Sequence, residues 1–136
     1  SGCLWRLDAC NIPIEDYPAQ ALSRALLSSR LTVLHLENAG LSGKPLFTLG
    51  LEELCDGLRV QKAGLRTLVL HNNQITHRGM THLGSVLPLL RTLETLDLSA
   101  NDLKDRGMHT LKEALISNRS VTRLSLAAVG ITSEGM

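Results

Sequence analysis

Apolar and polar positions along this chain follow one template that returns several times. Its clearest copy is Leu93-Glu-Thr-Leu96-Asp-Leu98-Ser-Ala-Asn101-Asp-Leu103. The same spacing holds one unit earlier at Leu65, Leu68, Leu70, Asn73 and Ile75, and one unit later at Val121, Leu124, Leu126, Val129 and Ile131. A fourth copy is Leu31, Leu34, Leu36, Ala39 and Leu41, and a weaker fifth is Gly2, Trp5, Leu7, Cys10 and Ile12. Inside each copy the apolar residues alternate with period two, which predicts a short strand with one buried and one open face. Strand copies therefore begin at Gly2, Leu31, Leu65, Leu93 and Val121.

Between the strands the period changes. Gly107-Met108-x-x-Leu111-x-x-Ala114-Leu115 and Gly79-Met80-x-x-Leu83-x-x-Val86-Leu87 place apolar residues one, four, seven and eight positions after a glycine. That is the one-sided stripe of an amphipathic helix. A strand and a helix in each unit predict an α/β fold, a ribonuclease-inhibitor-like leucine-rich-repeat solenoid. Its parallel strands line the concave face and its helices the convex face. Residues 1–136 read as one such domain of about five repeats.

The asparagine of the template follows the strand, where the chain turns inward. A side-chain amide there satisfies backbone groups that burial would otherwise orphan. Asn73 and Asn101 have the chemistry for this, and Cys10 has a weak version of it. Ala39 and Val129 have none. The expected polar ladder is thus continuous across the third and fourth repeats only.

The strand starts are evenly placed except between Leu31 and Leu65, and that longer interval holds a doubled helix start. Pro45-Leu46-x-x-Leu49 begins the helical stripe, and Gly50-Leu51-x-x-Leu54-x-x-Gly57-Leu58 begins it again in full register. This predicts that one or more whole repeats are missing at the Leu49–Gly50 junction, the alternative being a longer helix or a short insertion in this repeat. The chain opens almost within a strand and stops at Gly135-Met136, the opening of another helix, so the repeats are expected to be an uncapped excerpt.

Composition narrows the function classes. Leucine dominates, and aromatic residues are only 2% of the chain, which suits stacked leucines better than a small-molecule pocket. A net charge of +1 with mixed signs gives no electrostatic footprint for nucleic acid or anionic lipid. No apolar run approaches the ~20 residues of a membrane span, and no signal-peptide pattern opens the chain. Three cysteines (Cys3, Cys10, Cys55) without disulfide rhythm favour an intracellular setting, cytoplasmic or nuclear. Asn118-Arg119-Ser120 fits a glycosylation sequon and is read as incidental, because nothing else suggests secretion.

The open strand positions form the candidate protein-binding face. One column reads Arg6, His35, Val69, Asp97, Ser125, and the next reads Asp8, Glu37, His71, Ser99, Ala127. A third holds Leu4, Val33, Thr67, Thr95 and Arg123. His35/Glu37 and His71/Asp97 have residue types suited to metal or acid–base chemistry, but no further ligand sits at a closing position. They read as a solvated polar face. His77 and His82 read as exposed residues near a helix start. Cys3 and Cys10 have thiol-ligand spacing, although the ladder position explains Cys10, and Cys55 reads as core. No phosphate loop, nucleophile elbow or zinc set occurs, so no catalytic residue, cofactor or metal is expected.

Three stretches carry a family resemblance. Leu34-His-Leu-Glu-Asn-Ala-Gly-Leu-Ser-Gly43, Leu68-Val-Leu-His-Asn-Asn-Gln-Ile-Thr-His77 and Leu115-Ile-Ser-Asn-Arg-Ser-Val121 resemble the repeats of the protein phosphatase 1 regulatory subunit 37 family. The resemblance covers most of residues 31–136. It implies extra repeats at the Leu49–Gly50 junction, and binding and inhibition of the phosphatase catalytic subunit. The short basic–x–Val–x–aromatic peptide through which such regulators usually dock is absent: Lys44-Pro-Leu-Phe47 lacks its middle and Arg59-Val60 its aromatic. The alternative is a repeat segment of another intracellular scaffold, such as an innate-immune sensor or an actin regulator.

Overall fold

The computed structural model describes residues 6–10, 31–37, 55–59, 64–73 and 75–130. Five short strands form one sheet: β1 Arg6–Cys10, β2 Val33–Glu37, β3 Thr67–Val69, β4 Thr95–Asp97 and β5 Arg123–Ser125. They lie in chain order and every neighbouring pair is parallel. Leu34, Leu68, Leu96 and Leu124 share one row across β2 to β5, as the template predicts.

Parallel neighbours require a crossover between them. Helix α1 (His77–Val86) connects β3 to β4, followed by a 3-10 turn at Leu87–Leu89, and α2 (Lys104–Ser117) connects β4 to β5. The stripes fall where the sequence puts them, since Met80, Leu83, Val86 and Leu111 are buried and Ala114 is 6% exposed. Both helices begin before the glycine of their stripe. Thr76 caps α1 through its side-chain oxygen, which accepts the Arg78 N–H at 3.3 Å. Gly107 then sits where the helices meet, because a Cβ there would lie 2.9 Å from Leu103 Cβ and 3.4 Å from His77 Cα.

The inward strand leucines and these helix residues make one core, which also contains Cys55 at 2% exposure in the helical stretch 55–59. Burial alternates along β2, β3 and β4 and stops at β5, where every residue is exposed. Leu124 is 41% exposed, whereas Leu34, Leu68 and Leu96 in its row are fully buried.

The first strand departs from the expected register by two positions. Leu7 pairs with Leu34 and Arg6 with Val33, where the template had set Leu7 against Leu36 and Arg6 against His35. Cys10 stands beside Glu37 and is not at the ladder position. A slip of two keeps every residue on its own face, so alternation alone could not tell the two registers apart. The Leu49–Gly50 junction and both termini lie outside the described residues, as do Ala39 and Cys3.

Candidate functional site

The observed register sets two columns of the open sheet face. Arg6, Val33, Thr67, Thr95 and Arg123 form the first. Asp8, His35, Val69, Asp97 and Ser125 form the second. Arg6, Arg123 and Ser125 are exposed, and Val33, His35, Glu37, Thr67, Val69, His71, Thr95 and Asp97 are half-buried. The sheet thus gathers on one face nearly all the residues chosen from alternation.

Ser99 is the exception. Expected on the open face, it is only 4% exposed. It follows β4 where the chain turns inward, and its hydroxyl is drawn towards the next repeat. Ser99 Oγ lies 2.9 Å from Ser125 Oγ and accepts the Ala127 N–H at 3.0 Å. Ser99 is a joint between repeats.

The two acid–base pairs are assembled to different degrees. His35 Nε2 lies 3.4 Å from Glu37 Oε1, a long contact within one strand. Asp97 instead accepts the Ser99 N–H at 2.9 Å, so one carboxylate oxygen is engaged in the local turn. Among the described residues no three His, Cys, Asp or Glu side chains come together as a metal set. What the face offers is hydroxyl, imidazole, carboxylate, guanidinium and a little aliphatic surface on a fixed grid.

The grid is held from behind by the asparagine ladder. Asn101 Nδ2 donates to the Leu70, Leu98 and Ser99 carbonyls at 2.8, 3.0 and 3.3 Å. Its Oδ1 accepts the N–H groups of Asn73 and Ile75 at 2.8 and 3.0 Å. Asn73 Nδ2 in turn donates to the Leu36 and His71 carbonyls at 2.6 and 3.2 Å. The ladder therefore joins the second, third and fourth repeats. At the fifth, the backbone substitutes: Lys104 N–H donates to the Val129 carbonyl at 3.1 Å.

Sequence reasoning missed a further asparagine of the same kind. Asn118 Nδ2 donates to the Leu87 and Leu90 carbonyls at 2.7 and 3.1 Å, and its Oδ1 accepts the Ser120 and Val121 N–H groups at 2.8 and 3.0 Å. The same residue heads the Asn118-Arg119-Ser120 sequon. At 8% exposure and with its amide fully engaged, it is a clamp between the turns leading into β4 and β5. His77 and His82, expected exposed, are half-buried, because both lie on the helix packed beside α2.

Among the described residues, two clefts open away from the sheet face. One of about 530 Å³ lies between α1 and α2 and is lined by His77, Thr81, Asp105, Arg106, His109 and Thr110. The other, of about 460 Å³, lies at the turns before β4 and β5. Among the described residues no helix is long and apolar enough to cross a membrane.

Comparison with known proteins fits this geometry. The family profile described as "Leucine Rich repeat" matches residues 90–112, a span that includes β4 and the first part of α2. The chain is 38% identical over 147 residues to protein phosphatase 1 regulatory subunit 37 of Bos taurus, covering 69% of this chain and 21% of that protein. The Homo sapiens protein of the same name is 56% identical over 45 residues, or 33% of this chain and 6% of the relative. The Danio rerio one is 53% identical over 45 residues, or 33% of this chain and 5% of the relative. The chain thus spans about a fifth of the bovine protein's length. These relatives bear out the resemblance read from the repeats.

Proposed function

We propose that the chain is part of a ribonuclease-inhibitor-type leucine-rich-repeat solenoid that works as a non-catalytic interaction scaffold. Its open sheet face binds protein, and the first candidate partner is the catalytic subunit of protein phosphatase 1, which it inhibits. The observation that carries this reading is the similarity to relatives named as regulatory subunits of that phosphatase, on a chain whose strands present a continuous polar grid. Five strands ~4.8 Å apart make a face ~20 Å wide, enough for part of a protein interface. The residues proposed to contact the partner are Arg6, Asp8, His35, Glu37, Thr67, Val69, His71, Thr95, Asp97, Arg123 and Ser125. The expected setting is intracellular, cytoplasmic or nuclear.

The test uses the longer protein that carries these repeats. Mixed with the phosphatase catalytic subunit, it is expected to co-elute on gel filtration and to slow dephosphorylation of a phosphoprotein substrate. Co-elution without inhibition would retain the scaffold and remove the inhibitory role. Failure to co-elute would contradict the phosphatase assignment.

We further propose that the repeats missing at Leu49–Gly50 number about two. The bovine alignment runs over 147 residues yet takes in 69% of this 136-residue chain, about 94 residues, which leaves about 53 positions to the relative alone. That difference is close to twice the 28-residue period that separates Asn73 from Asn101, which supports a loss of whole repeats.

A further inference from the structure

The edge of the sheet where the strands begin carries a cluster of arginines, of which Arg123 alone also belongs to the open face. Arg66, Arg91 and Arg119 lie in the turns leading into β3, β4 and β5, and Arg123 opens β5. All four are exposed, and none makes an ion pair among the described residues. Glu94 is the only carboxylate in those turns among the described residues. Positive charge of this density, left uncompensated, is a standing attraction for an anionic partner.

Two of these arginines frame a cavity. Arg91 and Arg119 occupy equivalent places in consecutive repeats and line the cleft of about 460 Å³ together with Pro88, Ser117, Asn118 and Ser120. Its wall is fixed before anything binds. Asn118 is pinned on both sides of its amide, and Ser120 Oγ donates to the Leu90 carbonyl at 3.0 Å. Two large apolar side chains are exposed next in sequence to residues that line it. Leu89 at 51% exposure and Ile116 at 71% are the chain neighbours of Pro88 and Ser117.

We propose that this cleft is a second protein-docking site, which takes an acidic peptide segment bearing an apolar side chain. A guanidinium pairs with a carboxylate through two parallel hydrogen bonds, so two arginines one repeat apart read successive acidic residues. Leu89 and Ile116 provide the apolar contact that gives such a segment affinity beyond charge. The prearranged wall lowers the ordering cost of binding. Single-stranded nucleic acid is a poorer fit, because stacking needs aromatic platforms and the described residues include no Phe, Tyr or Trp. A membrane surface is also a poorer fit to a concave site. The site is separate from the open face and does not depend on which partner occupies that face.

The probe is a fluorescein-labelled peptide of repeated Glu-Glu-Leu, titrated with the 136-residue chain and read by fluorescence anisotropy. Saturable binding is expected. The pair Arg91→Ala/Arg119→Ala and the pair Leu89→Ser/Ile116→Ser should each weaken it by about tenfold or more. Arg78→Ala/Arg106→Ala removes the same charge from the helices and should change it by less than about twofold. The pair Arg91→Glu/Arg119→Glu should instead bind a Lys-Lys-Leu peptide, a gain that misfolding cannot imitate. The proposal is overturned by absence of saturable binding or by equal loss in the helix control pair. It is likewise overturned if the charge-reversed pair shows no gain. Tighter binding to phosphatidylserine vesicles or to a single-stranded oligonucleotide than to the peptide also overturns it.

Discussion

Asn101 spends its whole side-chain amide on backbone groups of two repeats, and it is fully buried while doing so. Removing the amide leaves donors and acceptors stranded where water cannot reach, at about 1–3 kcal/mol. Asn101→Ala should therefore lower unfolding stability by that amount in denaturant titration, and a change within error of zero would refute the ladder. Its neighbour behaves in the opposite sense. Ala100 has φ +61° and Ala128 has φ +57°, matching Asn72 at +54° one repeat earlier. The left-handed region costs an ordinary residue about 1–2 kcal/mol, and asparagine enters it more readily. Ala100→Asn is accordingly expected to stabilise the chain by about 0.5–1 kcal/mol, and a lower unfolding midpoint would contradict this. At this scale the sequence was unevenly legible. Asn73 and Asn101 announce their role because an amide at a fixed place in a leucine template has few other uses. Nothing about the side chain of Ala100 signals positive φ, and Asn118 escaped because the template stops before the loop that it clamps.

The elements follow from alternation with few surprises, since a very short strand bounded by turns needs only its two faces told apart. β3, β4 and β5 could be read directly because Leu68, Leu96 and Leu124 recur at one constant interval. β1 slipped by two because Trp5, Leu7 and Cys10 fit the template as well as a frame two positions later. Packing decides between such frames, and packing is not written in a single strand. The same rows predict graded losses on truncation. Leu98 is fully buried and Leu111 is 1% exposed, so changing either to Ala should cost about 2–5 kcal/mol. Leu124 sits in an equivalent row at 41% exposure, and its truncation should cost about half as much or less. Equal losses from Leu96→Ala and Leu124→Ala in calorimetry would contradict the burial gradient.

On the scale of the whole molecule, each repeat buries its faces only against its neighbours, so stability grows with the number stacked. Restoring about two repeats at Leu49–Gly50 should raise the unfolding midpoint, and an unchanged midpoint in a thermal melt would argue that the junction is already a closed contact. The repeat architecture was open to sequence reasoning because each copy samples the same physics again. The partner was not, since a polar grid of threonine, histidine, aspartate and arginine suits many protein surfaces, and its occupant is set by shape and charge across several strands at once. The relatives' names supply a candidate, and the open face supplies the place to test it. The most direct measurement is the affinity of the longer protein for the phosphatase catalytic subunit by calorimetry, before and after Val69→Glu and Thr95→Arg are introduced together on that face. Docking there predicts a loss of about tenfold or more with an unchanged unfolding midpoint. Affinity that survives the two substitutions, on a protein that still folds, would contradict it.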